Sequence, residues 1–350
     1  MLDSLDTMRR LDTRDVLGMV SGMPDHLAEG LRLGRSREAV GERPDNVVIC
    51  ALGGSAIGGD LVSQWLSDRS DIPCHVSRGY HLPAYVGERS LVVAASYSGN
   101  TEETLSMTQE AVSRKARAIV ISSGGKLEEL AEAEGLAHCL VPQGMLPRAT
   151  IGYLFGAIAG ILDGNGVVGG EGDIASSIEV LRRVIADCAP EVDTAGNPAK
   201  KLAHHIHGTI PVIVGYGLSS PVARRWAHQL NENSKMLAFD CEVPEMNHNS
   251  IVGWMGDGRG GGFSMTFLDH DVDDERMRRR LEATKAMVAD QVRVFSSHAV
   301  GDGTLERMFS LVAMGDYVSV YSAFLRKEDP STTGPIDELK RILAKKGGGG

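Results

Sequence analysis

Between Asn46 and Val141 the chain repeats one pattern: a short apolar run rich in β-branched residues, then a turn or a segment with helical spacing. The runs NVVICAL, IPCHVSRG, LVVAAS, RAIVISS and AHCLVP are too short for ordinary helices, and several are too uniformly apolar for strands with one wet face. They read as parallel strands alternating with helices. Strands covered on both faces in this way specify an α/β sandwich.

The pattern returns later in the chain. TIPVIVGYGLSSPVARRWAHQLNENSK repeats the order of strand, glycine-serine turn and helix, and PVIVGYGLSS echoes VVICALGGSA, so the fold reads as internally duplicated. AFDCEV, FSMTFLD and VRVFSS supply further strands, and DDERMRRRLEATKAMVADQ and LERMFSLVAMGDYVSVYSAFLRK supply helices. The glycine-rich GNGVVGGEGD marks a boundary between the two units. This divides the chain into a helical preface (1–43), a first α/β unit (44–165), a helical connection (166–198), a second α/β unit (199–328) and a tail with a short amphipathic helix (329–350). The preface carries helical spacing through Leu5, Met8, Leu11, Val16, Leu17 and Val20, broken near Pro24, and no evident chemistry. The final glycines read as disordered.

Composition narrows the class. At 350 residues, 42% hydrophobic and 23% charged, the chain is an ordinary two-domain globular protein, and no apolar run approaches the length needed to span a bilayer. The N-terminus mixes acids and bases through its apolar positions, unlike a secretory signal, so a cytoplasmic location is expected. Five widely spaced cysteines without a CxxC predict neither disulfides nor structural zinc. A net charge of -10 argues against nucleic acid as the main partner, so any anionic ligand must be held locally.

Two stretches offer such a hold. In LVVAASYSGNTEETL, Ser96, Ser98 and Thr101 present hydroxyls and Gly99 lets backbone approach an anion just where a helix begins. The same residues also suit an ordinary strand-to-helix turn with Asn100 as N-cap and Glu103 closing a capping box. GGSAIGGD, with Gly54 and Ser55, is a second glycine-serine cradle. It lacks the G-x-G-x-x-G spacing and the downstream acid of a dinucleotide site.

Three further residues invite chemistry. Arg148 sits just before the long apolar segment IGYLFGAIAGIL, where the helix dipole disfavours a cation unless an anion faces it, although such residues also simply reach solvent. Glu232, near a helix end, and His248, in an asparagine-flanked loop, suit proton transfer; a solvated helix end and a loop histidine would look the same. The HHIH of His204 to His207, with His228 downstream, lacks a carboxylate or cysteine to complete a metal set. No G-x-S-x-G supports a serine hydrolase.

Taken together, GGSAIGGD, SYSGNTEET, PRATIGYLFG, NENSK, PEMNHNSIVGW and DPSTTGPIDELK resemble the bifunctional phosphoglucose/phosphomannose isomerases of the sugar-isomerase (SIS) superfamily, over about residues 45–345. The resemblance implies two SIS domains, each a five-stranded parallel sheet flanked by helices in a flavodoxin-like three-layer sandwich. It implies hexose 6-phosphate substrates, no metal or other cofactor, and a homodimer with its active site at the subunit interface. Gly54, Ser55, Ser96, Ser98 and Thr101 would hold the phosphate. Glu232 would move a proton between C1 and C2, His248 from the partner would open the ring, and Arg148 would stabilise the enediolate. Thr333 and Lys340 would complete the site, with a one-residue offset leaving Thr332 as the alternative to Thr333. A non-catalytic SIS module sensing a sugar phosphate, or an isomerase for another sugar phosphate, are the competing functions.

Overall fold

A computed structural model describes residues 1–36, 41–256, 259–271 and 274–344. The first sheet contains β1 (Asn46–Cys50), β2 (Cys74–Ser77), β3 (Ser90–Ala95), β4 (Arg117–Ser122) and β5 (Ala137–Leu140). All pairs are parallel and the order is β2-β1-β3-β4-β5, with Val47 beside Cys74 on one side and Leu91 on the other. Every residue of β3 is buried, as its unbroken apolar run requires. Crossovers leave β1 and β3 in opposite directions, which opens a crevice at their C-terminal ends where doubly wound sheets hold ligands.

Helices α1 (Leu5–Leu11), α2 (Val16–Ser21) and α3 (Met23–Arg35) precede this sheet, and α4 (Gly53–Leu66), α5 (Glu102–Ser113) and α6 (Lys126–Glu134) connect its strands. The break expected near Pro24 falls at Gly22, between α2 and α3, and Pro24 sits in the first turn of α3, which needs no N–H from it. The regular alternation fails once. Residues 78–89, between β2 and β3, form no helix, and Gly79, Pro83 and Gly87 in that stretch are the reason.

After α7 (Ile151–Gly164), α8 (Glu171–Cys188) and α9 (Pro198–Ile206) comes the second sheet: β6 (Ile210–Gly215), α10 (Ser220–Ser234), β7 (Phe239–Glu242), α11 (Ser250–Trp254), β8 (Phe263–Asp269), α12 (Glu275–Val288) and β9 (Arg293–His298). Its order, β7-β6-β8-β9, repeats the first four positions of the first sheet and is again parallel. Among the described residues it has four strands where five were expected. From β9 the chain passes directly into α13 (Thr304–Leu325), and residues 326–333 then turn back before α14 (Gly334–Ala344), so no segment among the described residues remains for a fifth strand.

The 22 residues of α13 correct a second expectation, since this helix is long and apolar enough to cross a membrane by length and composition. It serves instead as a core element. Its apolar window is 89% buried, packed against α8, α9 and α10. One hydrophobic cluster joins Ile49 and Val93 of the first sheet, Trp65 of α4, Phe155 of α7, Trp226 of α10, Phe309 and Tyr317 of α13, and Ile213 and Leu268 of the second sheet. The two sheets therefore share a core.

Helices α3 and α7 approach closely through glycines. A Cβ on Gly156 would lie 2.5 Å from the Leu27 carbonyl oxygen, and one on Gly30 would lie 2.5 Å from that of Tyr153. Gly172 on α8 faces open space. We therefore expect Gly156→Ala to lower the unfolding free energy by about 1–3 kcal/mol. Gly172→Ala should raise it by about 0.5–1 kcal/mol. Urea denaturation measures both, and a Gly156→Ala protein of undiminished stability would contradict the packing.

Candidate active site

Two helix starts meet at the crevice. α4 follows β1 immediately, so Gly53, Gly54 and Ser55 form its first turn and the glycine-serine stretch is helical, not a loop. A Cβ on Gly54 would stand 3.2 Å from the Arg148 Cα, which presses this turn against the backbone of Arg148. Buried Ser55 accepts the Tyr97 amide at 3.4 Å, linking α4 to the loop after β3.

In that loop Ser96 and Thr101 hydroxyls lie 2.8 Å apart, and exposed Ser98 accepts the Asn100 amide at 3.3 Å. Gly99 has φ +68°, and a Cβ there would fall 1.7 Å from the Gly124 carbonyl oxygen. Only glycine fits. Thr101, not Asn100, is the N-cap of α5, and Asn100 instead donates through Nδ2 to the Ser98 carbonyl, so the capping-box reading of Asn100 and Glu103 is set aside. Neither Leu52 nor Thr101 caps its helix through a side chain. The first-turn amides of both helices are left to other acceptors.

Arg148 joins these parts to the second unit. It lies in the short 3-10 turn Pro147–Ala149 and is 5% exposed. Its Nε donates to Asn233 Oδ1 at 2.5 Å, Nη2 donates to the Pro330 carbonyl, and Nη1 faces Glu232 Oε2 at 3.6 Å. Burial pulls the guanidinium below its ordinary pKa and the Glu232 charge pulls it back. Arginine stays protonated regardless, so a fixed cation faces a carboxylate that is 30% exposed.

A second, fully buried pair supports the first. Arg225 contacts Asp316 through Nη2 at 2.7 Å and Nε at 3.0 Å, and its Nη2 also donates to the Arg148 carbonyl at 3.0 Å. Gln229 donates to Asp316 at 2.9 Å, and Asn233 Nδ2 donates to Ser319 at 2.9 Å. α13 thus holds the α10 face that carries Asn233. Lys235 closes α10 at φ +52° and donates to the Asn233 and Asp329 carbonyls at 3.0 and 2.6 Å. Burial lowers its pKa, and the nearby Arg148 charge lowers it further.

These supporting residues were not singled out in the sequence. Asn233 and Lys235 follow Glu232 in NENSK, and Asp316 is a lone acid inside the apolar run LVAMGDYVSV, which were the available signals. The preface also has a role, since Thr13 Oγ1 donates to Asp329 Oδ2 at 2.6 Å.

Three expected site residues stand apart within one chain. His248 is exposed in the 3-10 segment Glu245–His248, and none of the described hydrogen bonds or ion pairs joins it to Glu232 or Arg148. Thr332 donates to the Asp329 carbonyl at 3.2 Å, whereas Thr333 reaches Asp337 Oδ2 at 3.4 Å at the start of α14. Lys340 is exposed on that helix. No group of three or more His, Cys, Asp or Glu among the described residues is placed to hold a metal ion, and His205 of the HHIH stretch stacks on Phe295. The terminal glycines lie outside the described residues.

Comparison with known proteins bears on this arrangement. A family model described as the bacterial phospho-glucose isomerase C-terminal SIS domain matches residues 195–343. A bifunctional phosphoglucose/phosphomannose isomerase from Caldicellulosiruptor bescii is 39% identical over 332 residues, covering 93% of this chain and 98% of the relative. The chain belongs to this isomerase family. A second bifunctional phosphoglucose/phosphomannose isomerase, from Aquifex aeolicus, is 34% identical over 303 residues, covering 85% of this chain and 90% of its own. The fold reaches further than the family. A hypothetical protein from Thermus thermophilus superimposes with a TM-score of 0.76 over 98% of this chain and 94% of its own, at 16% identity.

The buried pair is testable by itself. Asp316→Ala strands a buried guanidinium and should cost about 3–5 kcal/mol, while Arg225→Met with Asp316→Leu should regain much of that loss. Urea denaturation reads both. Wild-type stability in Asp316→Ala would contradict the pairing.

Proposed function

We propose that this chain catalyses the reversible aldose–ketose isomerisation of glucose 6-phosphate and mannose 6-phosphate with fructose 6-phosphate, through a cis-enediolate and without a metal. The observation that carries the proposal is the 3.6 Å approach of Arg148 Nη1 to Glu232 Oε2, directly beside the α4 turn that bears Gly54 and Ser55. In this reading Gly54, Ser55, Ser96, Ser98 and Thr101 hold the phosphate, using hydroxyls and uncapped helix amides in place of lysines.

The Glu232 carboxylate takes the proton from C2 of the open-chain aldose. The C–H electron pair forms the C1–C2 double bond, and the carbonyl pair moves onto the C1 oxygen. Arg148 offsets that new negative charge, which a preorganised cation in a dry site does better than water. The O2 proton passes to the C1 oxygen, and as the O2 electron pair forms the C2 carbonyl Glu232 returns its proton to C1, giving the ketose. Arg148 supplies the charge compensation for which a metal would otherwise serve.

A homodimer completes the site. His248 is exposed on its own chain, and in the proposed assembly it enters the site of a second copy to open the sugar ring. Thr333 and Lys340 close the site from the tail, and the small Thr333 side chain beside C1 and C2 leaves room for either C2 epimer. A cytoplasmic location belongs to the same proposal.

Glu232→Gln should reduce turnover of both aldose phosphates by about 10²–10⁴-fold. Wild-type enzyme should retain activity in EDTA and incorporate solvent deuterium at C2 when run from fructose 6-phosphate. Unchanged activity in Glu232→Gln would contradict the mechanism. Mixing inactive Glu232→Gln and His248→Ala dimers should, after subunit exchange, restore about a quarter of wild-type activity, because half the dimers then carry one intact site. Failure of exchanged dimers to regain activity would place His248 outside the partner's site.

A further inference from the structure

We propose that Thr13 and Asp329 form a clasp that positions Arg148, and that both act as positioning residues for the reaction. The kinetic part of this proposal rests on the isomerase reading; the structural part does not.

The tail between α13 and α14 is held as a turn by one carboxylate. Asp329 Oδ1 accepts the Ser331 amide at 2.8 Å, and Oδ2 accepts the Thr13 hydroxyl at 2.6 Å from 316 positions away. Thr13 Oγ1 also lies 3.3 Å from Ser331 Oγ, and Thr332 donates back to the Asp329 carbonyl at 3.2 Å. Pro330 and Ser331 are buried beneath these bonds. The turn presents two consecutive carbonyls inward.

Each carbonyl meets a cation of the site. Lys235 Nζ donates to the Asp329 carbonyl at 2.6 Å and Arg148 Nη2 donates to that of Pro330. A guanidinium is planar, so anchoring Nε at Asn233 and Nη2 at Pro330 sets the plane and aims Nη1 at Glu232. Without Pro330 in place, Asn233 alone remains as a side-chain anchor. The plane can then turn, and a buried N–H loses its acceptor.

Asp329 is suited to the task. Burial raises its pKa, but the bonds from Thr13 and Ser331 and the Lys235 charge outweigh burial and leave it below the ordinary carboxylate value. It is therefore ionised at neutral pH, with both oxygens occupied. The contrasting account, an ordinary surface turn whose contacts happen to lie near the site, predicts no kinetic consequence from removing one exposed hydroxyl.

Three variants decide between these accounts. Thr13→Val removes the hydroxyl at nearly constant shape, Thr13→Ser keeps it, and Asp329→Asn weakens both side-chain bonds. We expect Thr13→Val and Asp329→Asn to lower kcat for fructose 6-phosphate at least about fivefold with KM changed less than about twofold, since the proposed phosphate hold stands on the first sheet. Thr13→Ser should bring kcat back within about twofold of wild type. Hydrogen exchange at the Ser331 amide should quicken about tenfold in Thr13→Val and not in Thr13→Ser.

Wild-type exchange at Ser331 in Thr13→Val would overturn the clasp whether or not the protein turns over a hexose phosphate. Wild-type kcat in Thr13→Val, or a loss that Thr13→Ser does not restore, would overturn its positioning role. If the wild-type protein turned over neither aldose phosphate, the functional reading would fail by itself and exchange at Ser331 would still judge the clasp.

Discussion

A guanidinium taken out of water must be met by acceptors on nearly every side, and the Arg148 side chain, 5% exposed, sets that demand at the centre of this molecule. Its partners come from distant parts of the chain: Asn233 and Glu232 at the end of α10, and Pro330 in the tail. Arg225, itself neutralised by Asp316, holds the Arg148 carbonyl. Satisfying one buried cation therefore draws the two α/β units and the tail to a single point.

The fold makes that convergence possible. A shared core through α4, α7, α10 and α13 holds the two sheets together, so the C-terminal ends of β1 and β3 can face the end of α10 across Arg148. Gly54 permits contact between the α4 turn and the Arg148 backbone, where a larger residue would press on Arg148 and Pro147. In the proposed enzyme this sets a division of labour. Helix starts on the first sheet hold phosphate, while Arg148 and Glu232 act at the other end of the sugar.

Much of this was legible in the sequence for identifiable physical reasons. Strands β1 and β3 to β5 follow NVVICAL, LVVAAS, RAIVISS and AHCLVP because parallel strands between helices are apolar along most of their length. Arg148 stood out as a lone cation before an apolar helix, and Glu232 as an acid in a dense polar cluster. Contacts set only by tertiary packing were not legible. Nothing local announces that Arg225 meets Asp316 across 91 positions, or that Thr13 reaches Asp329. The extent of α13 was legible in LERMFSLVAMGDYVSVYSAFLRK, whereas the burial of Asp316 within it was not, since that depends on Arg225 and Gln229. The fifth strand that the family resemblance implies for the second sheet is absent among the described residues: the apolar runs of this unit supply four strands, and the tail is bound to Arg148 and Lys235.

If both ends of one hexose phosphate are gripped at this junction, a crystal structure with fructose 6-phosphate bound will show it. Phosphate density is expected among Ser55, Ser96 and Thr101, with C1 and C2 beside Glu232 and the C1 or C2 oxygen within hydrogen-bond reach of Arg148. Phosphate bound instead in the roughly 550 Å³ cavity lined by Arg276, Arg279 and Arg280 on α12, with the Arg148–Glu232 site unoccupied, would contradict it.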